Sequence, residues 1–439
     1  MSSGGWVVDC GSQNCRLGRE ADSVYTNDDF KVCSRSYVRN WTEAAKLFKA
    51  GFKKATNGEE EWPQLDDDFD VAQWTQEFDP VSACVFFFLE STSNTLARFQ
   101  VLVTEGMFNS MKNKVKSAEV FFEQIRTRAF QSQASASLAL YASGRTSGCV
   151  LECGAGTTSV VPVFEGYRVL PKAVRLERGG FDLDDALCTH LLDRGYSVTM
   201  RSEEKQPSKI TFQSAKLTKL VSNITDLSRS SDPLAGKMYP VRDGMGMGSE
   251  SVKDVKTRST THRLTVKEIR HLKEFGCFVC DSANTYDTLG PARTDIRLPD
   301  GERVALGMKA WAGASEMLFR GEDETHPSLP ELVSNAAKGC VDMDGTAPRI
   351  VDVVLTGGTT KLRGFKLRLA HDLAKPEFAR RRAKHTQIRV SHAIKPENVE
   401  LAPFTGGTLL TSLSSFSNMW VSRREWEDFG ESALMRKCN

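Results

Sequence analysis

The sequence predicts an α/β protein of two domains related by duplication, and three observations carry that prediction. The chain has 439 residues, enough to bury a large core and to divide at least once. Apolar strand-like runs alternate with stretches of helical spacing, the pattern of an α/β architecture. Two distant segments also share one local grammar: an apolar strand ends on an acid, one further residue and a glycine, then runs on into a second strand.

The repeated segments are Trp6-Val-Val-Asp-Cys-Gly-Ser12 and Cys149-Val-Leu-Glu-Cys-Gly-Ala-Gly-Thr157. Each reads as a β-hairpin with a Gly-bearing turn, so each copy would supply one clamp. Ile350-Val-Asp-Val-Val-Leu-Thr-Gly-Gly-Thr359 shares the strand-then-glycine form without the acid spacing. Between the clamps, Phe108 to Phe130 and Ala134 to Ala142 have helix-compatible spacing, and Leu264 to Phe275 reads as a helix with Leu264, Ile269 and Leu272 towards one side. Residues 57–70 are strongly acidic and read as a surface loop. Residues 201–263 are rich in Ser, Lys and Gly and lack sustained apolar periodicity. They read either as a flexible surface insertion or as a partner-docking one.

Composition is that of an ordinary soluble chain, 40% hydrophobic and 26% charged. A net charge of +2 gives no electrostatic reason to expect a specific nucleic acid or an anionic membrane as partner. The strongest apolar run, Cys84 to Leu89, falls far short of the ~20 residues that span a bilayer. The N-terminus has no basic region followed by an apolar one, so no secretory signal is expected. Eleven scattered cysteines, an odd number, do not form a disulfide frame. Cys277 and Cys280 make one CxxC without a second ligand pair, so buried, reduced thiols are expected rather than zinc.

Several segments in matching order then resemble the actin family. Asp9-Cys-Gly-Ser-Gln-Asn-Cys-Arg-Leu-Gly18 resembles its first phosphate loop. Leu140-Tyr-Ala-Ser-Gly-Arg-Thr-Ser-Gly148, leading into Glu152-Cys-Gly-Ala-Gly156, resembles the second, with Val163 to Tyr167 and Asp193 to Ser197 following. Leu355-Thr-Gly-Gly-Thr-Thr360 resembles the adenosine-proximal motif, and Gly406 to Trp420 with Met435 to Cys438 resembles the C-terminal segment. The resemblance implies duplicated ribonuclease-H-like α/β domains around a nucleotide cleft. It places the first half at residues 1–133, the second at 134–403 with its insertion, and returning helices at 404–439. It also implies ATP or ADP, with Mg²⁺, as the ligand.

On that resemblance Gly11, Ser12, Gln13 and Arg16 belong to the first clamp, and Gly154, Ala155, Gly156 and Thr157 to the second. The glycines let a backbone approach phosphate oxygens; the plain reading of the same glycines is hairpin turns. Arg16 matches a phosphate-binding lysine and Gln13 a glycine. Asp9 matches the acid that holds Mg²⁺ through water, a mode suited to a cation that dehydrates reluctantly. Its partner acid is Glu152 where the family has Asp. Gly180, Arg270, Lys273, Glu274, Gly357, Gly358 and Thr359 match the adenosine side, and Arg270 with Glu274 also reads as a surface i,i+4 pair. Glu400 stands near a family lysine beside the base.

The hydrolytic positions depart most. Ser135 stands where the family has the Gln that positions the attacking water, with Gln133 two residues away and expected on a helix. Ala155 replaces an acid and Ser159 a histidine. Phosphoryl transfer depends on positioning and electrostatics, so nucleotide binding with slow or absent hydrolysis is expected, at most a weak ATPase. Nothing in residues 19–75 resembles the family's flexible binding loop. That favours a structural subunit of a cytoskeletal or other multiprotein assembly, in the cytoplasm. The alternatives are an active ATPase that forms filaments, or a nuclear subunit of a chromatin complex. Arg380 to His385 is a short basic run that reads as a nuclear signal or a solvated helix face. Tyr141, Leu410, Leu413 and Met419 match an apolar cleft that takes amphipathic partner helices; the alternative reading is ordinary core.

Overall fold

The computed structural model describes residues 5–10, 15–18, 25–27, 33–34, 37–38, 100–124, 127–199, 263–299, 301–321, 327–338, 340, 350–379 and 386–438. Two sheets organise them, and each is built from one of the predicted hairpins.

In the first sheet, Trp6–Cys10 pairs antiparallel with Cys15–Gly18, which pairs antiparallel with Tyr25–Asn27. On its other side Trp6–Cys10 pairs parallel with Gln100–Glu105, which in turn pairs parallel with Ala129–Ala134. The second sheet repeats this order. Gly148–Cys153 pairs antiparallel with Thr158–Phe164, which carries the short strands Tyr167–Arg168 and Val174–Leu176. Gly148–Cys153 also pairs parallel with Ile350–Thr356, and that strand with Gln387–His392. A hairpin extended by a third antiparallel strand on one side and two parallel strands on the other thus occurs twice. The duplication expected from the hairpins is present in the topology.

Parallel strands covered on both faces need near-continuous apolar side chains. Val7 and Val8 in one hairpin, and Cys149, Val150 and Leu151 in the other, are accordingly buried. So are Val353, Val354 and Leu355 between them and the sheet's far edge.

Two sequence expectations are corrected. Phe108 to Phe130 is not one helix: Met111–Glu119 is helical, Val120–Gln124 widens into a π-turn, and Ala129–Ala134 is a strand. Sheet pairing decides this, because Ala129–Ala134 fills the gap between Gln100–Glu105 and Val421–Ser422. Gln133 is therefore a strand residue, and the helix Ser135–Ala142 starts after it. The helix predicted from Leu264 begins at Val266, with Leu264 in the strand Arg263–Thr265. Its start is set by a capping box in which the Thr265 amide donates to Glu268 (2.7 Å) and the Glu268 amide to Thr265 Oγ1 (3.3 Å). Leu264, Ile269 and Leu272 are buried in one cluster, as their spacing predicts.

The C-terminal segment packs back on the first sheet. Helix Ala402–Ser412 lies beside Ser135–Ala142, with Leu138 and Phe404 in one core cluster. Gln131 Nε2 donates to the carbonyls of Met419 (3.1 Å) and Lys437 (2.8 Å), and Lys114 Nζ donates to that of Cys438 (2.5 Å). Cys277 and Cys280 are buried, with burial pushing their thiols up to about 12 and about 11. Residues 57–70, 84–89, 201–262 and 380–385 lie outside the described residues. No described helix is long and apolar enough to cross a membrane.

Candidate functional site

Asp9 stands in the strand Trp6–Cys10 and Glu152 in the strand Gly148–Cys153. Asp9 and Glu152 are near enough for the Asp9 charge to push up the Glu152 carboxyl.

Asp9 is held from two sides. Antiparallel register sets it opposite Arg16, whose Nη1 donates to Asp9 Oδ2 at 3.0 Å. Thr104, on the neighbouring parallel strand, donates through Oγ1 to Asp9 Oδ1 at 2.7 Å. Arg16 and Asp9 are both about nine-tenths buried, so removing either partner would leave an uncompensated charge, a loss of about 3–5 kcal/mol.

Glu152 is engaged by Ser135, whose Oγ donates to Oε2 at 2.7 Å. Ser135 opens the helix Ser135–Ala142, and Glu152 lies in the second sheet's strand Gly148–Cys153; these are the positions where the resemblance implies altered hydrolytic residues. The Glu152 carboxyl is pushed up to about 7, chiefly by burial and further by the Asp9 charge, while the Ser135 hydroxyl and Arg175 pull it down. Ser159 faces Glu152 in the hairpin register.

The second turn is tied to residues that the resemblance assigns to the adenosine side. The Gly154 amide closes the turn on the Thr157 carbonyl (2.9 Å). Its carbonyl accepts from the Gly180 amide (2.9 Å) and from Thr359 Oγ1 (2.8 Å). The Ala155 carbonyl accepts from the Phe181 amide (2.7 Å). Gly180 opens the helix Gly180–Leu192, and a Cβ there would meet Thr359 Oγ1 at 3.0 Å and Lys273 Nζ at 3.3 Å. Gly357, at φ 89, brings the adjoining loop so close that a Cβ would collide with the Cys153 carbonyl. Gly156 is buried and Gly358 exposed.

Lys273 Nζ donates to the Gly180 carbonyl (3.0 Å) and pairs with Asp184 (2.8 Å). Arg270 does not pair with Glu274: it turns to Asp184 (3.9 Å) and over the Phe181 ring, and Glu274 is exposed. Burial holds the Asp184 carboxyl above its usual range against the pull of these two cations. Glu400 accepts from Lys361 Nζ (3.1 Å).

Most of the predicted cleft residues thus fall into three groups. Asp9, Arg16, Ser135 and Glu152 meet around the hairpins. Gly154, Ala155, Gly180, Lys273 and Thr359 form one hydrogen-bonded cradle, with Gly357 packed against Cys153. Gly11, Ser12 and Gln13 lie outside the described residues. Of the apolar group, Tyr141 and Leu410 are half-buried against the cluster that includes Phe416 and Trp420, whereas Leu413 and Met419 are exposed. Sequence reasoning missed Thr104 and Asp184. Neither has a local signal, because each meets partners more than 80 positions away.

At Gly180 and Gly357 a Cβ would meet Thr359 Oγ1 and the Cys153 carbonyl, so these glycines let the loops pack closely on one another. The acid end suits Mg²⁺ poorly. Asp9 is already neutralised by Arg16 and each of its oxygens takes a donor from the chain. Among the described residues no three His, Cys, Asp or Glu gather to hold a metal ion.

A protein-family model described as Actin matches residues 3–439, and the chain belongs to that family.

Proposed function

We propose that this actin-family protein binds ATP or ADP between its two sheets and turns it over slowly or not at all, serving as a structural subunit of a larger protein assembly. The observation that carries this reading is the 2.7 Å hydrogen bond from Ser135 to Glu152. In a phosphoryl-transfer site an orienting group must present a lone pair or N–H to the attacking water. Here the short serine side chain reaches the carboxyl instead, and its hydroxyl proton is committed to Glu152. A water between the clamps is left without the amide that would aim it, while the cradle of Gly154, Gly180, Lys273 and Thr359 is intact. Loss of one well-placed orienting donor typically slows such reactions by about 10²–10³-fold.

The partner surface follows from the C-terminal segment. Leu413 and Met419 are exposed on the same C-terminal segment as half-buried Leu410, which packs with Tyr141 against one cluster; these are apolar anchors of the kind a groove uses to take an amphipathic helix. We place the protein in the cytoplasm with the cytoskeleton, the nucleus being the alternative.

The test is the nucleotide content of gently purified protein, measured by denaturation and chromatography. Stoichiometric ATP supports binding without turnover. Stoichiometric ADP together with phosphate release on added ATP would restore the enzyme reading, and empty protein would refute nucleotide binding.

A further inference from the structure

We propose that Arg16 is the built-in counter-charge of this cleft, so that the chain holds its nucleotide without needing a divalent cation. The inference rests on the nucleotide-binding reading above and adds to it how the phosphate charge is balanced.

Nucleotide sites ordinarily set a divalent cation between acidic side chains and phosphate oxygens, and the acids must be open to the cation's water shell. Asp9 is not open in that way. It and Arg16 are cross-strand partners in the first hairpin, so the register sets the two residues opposite each other. The ion pair is 3.0 Å long and about nine-tenths buried on both sides. Thr104 fixes the second oxygen at 2.7 Å from the neighbouring strand. The other acid of the cleft, Glu152, is bonded to Ser135 at 2.7 Å. Both carboxyls therefore have protein partners.

The identity of the cation matters. A guanidinium stays protonated at every working pH and presents five N–H donors in a rigid fork. One of them goes to Asp9, and the fork geometry suits phosphate oxygens on its other edge. Arg16 thus bridges acid and phosphate as a metal would. A dication brought to the same acids would face this permanent positive charge, or would have to break a buried pair to displace it.

The test is isothermal titration of the full chain with ATP, once in excess Mg²⁺ and once in EDTA. The proposal expects affinities that agree within about threefold. A loss of more than threefold in EDTA overturns it, and would mean that Arg16 leaves Asp9 to make room for a metal. Absence of binding in both solutions would instead refute the nucleotide-binding reading on which it rests. Arg16→Gln gives a second comparison: with the counter-charge removed, affinity in EDTA should fall by at least about tenfold below that in Mg²⁺. Equal affinities for the variant in both solutions would also overturn the proposal.

Discussion

Replacing Glu152 with Gln removes an ionisable carboxyl from between the clamps while keeping its length and an oxygen for the Ser135 hydroxyl. The carboxyl titrates at 4.5 when unfolded and at about 7 in the folded chain, with burial the main cause. The folded protein therefore keeps a proton that the unfolded chain has lost. Stability contributed at this site falls as pH rises from the unfolded value through the folded one, and levels off above it. The gap between the two values corresponds to about 3 kcal/mol, and because Glu152 is only half-buried, solvent screening reduces it to about 2 kcal/mol. Glu152→Gln should match the wild type near the unfolded value and exceed it by about 2 kcal/mol at about pH 8. Urea unfolding of both proteins across this range, at one fixed nucleotide concentration, measures the difference. A gap that does not change with pH, or a variant less stable than wild type at the alkaline end, would refute the reasoning.

Ser135→Gln returns a long amide to the position now closed on Glu152. Single-turnover hydrolysis should rise by at least about tenfold, and an unchanged rate would show that Ser135 is not what limits turnover. Arg368 is fully buried between Glu316 (2.6 Å) and Asp372 (2.6 Å). Arg368→Ala removes the buried partner that the two acids share, leaving Glu316 with Arg320 (3.2 Å) and Asp372 with Lys375 (2.6 Å), and should cost about 3 kcal/mol in denaturant unfolding; a loss below about 1 kcal/mol would mean that Arg320 and Lys375 compensate fully. Gly357→Ala demands a positive φ of a residue with a Cβ and drives that Cβ into the Cys153 carbonyl. A loss of about 1–3 kcal/mol is expected, read as a lower Tm with weaker nucleotide binding.

Much of the fold was legible because its strands are strongly apolar and end on distinctive turns. Val7 and Val8, or Cys149 to Leu151, are buried runs followed by glycine, and nothing else in their neighbourhoods competes with that reading. Ala129–Ala134 was not legible. Gln131 and Ser132 at its centre are buried and bonded in the structure, Gln131 to the C-terminal carbonyls and Ser132 to Glu105. With polar residues at Gln131 to Gln133 the strand has no continuous apolar run, and its neighbours in the sheet make it a strand. The Asp9–Arg16 pair was within reach, since a hairpin closing at residues 11–14 sets those two positions opposite each other. Ser135 and Glu152 were each recognisable as altered positions, but their bond joins the start of a helix to a strand of the second sheet and is a product of the assembled fold. Arg270 shows the converse. Helical spacing offered Glu274, yet burial of Asp184 beside Lys273 attracts the guanidinium more strongly than an exposed carboxyl does.

The central claim is that the cleft holds ATP without cutting it, and single-turnover hydrolysis tests it most directly. Protein in excess is mixed with trace labelled ATP, quenched over a time course and assayed for released phosphate. The account predicts that bound ATP persists intact for hours, with the Ser135 hydroxyl occupied by Glu152. Phosphate release that is complete within minutes would contradict it, and would mean that other groups in the cleft align the attacking water.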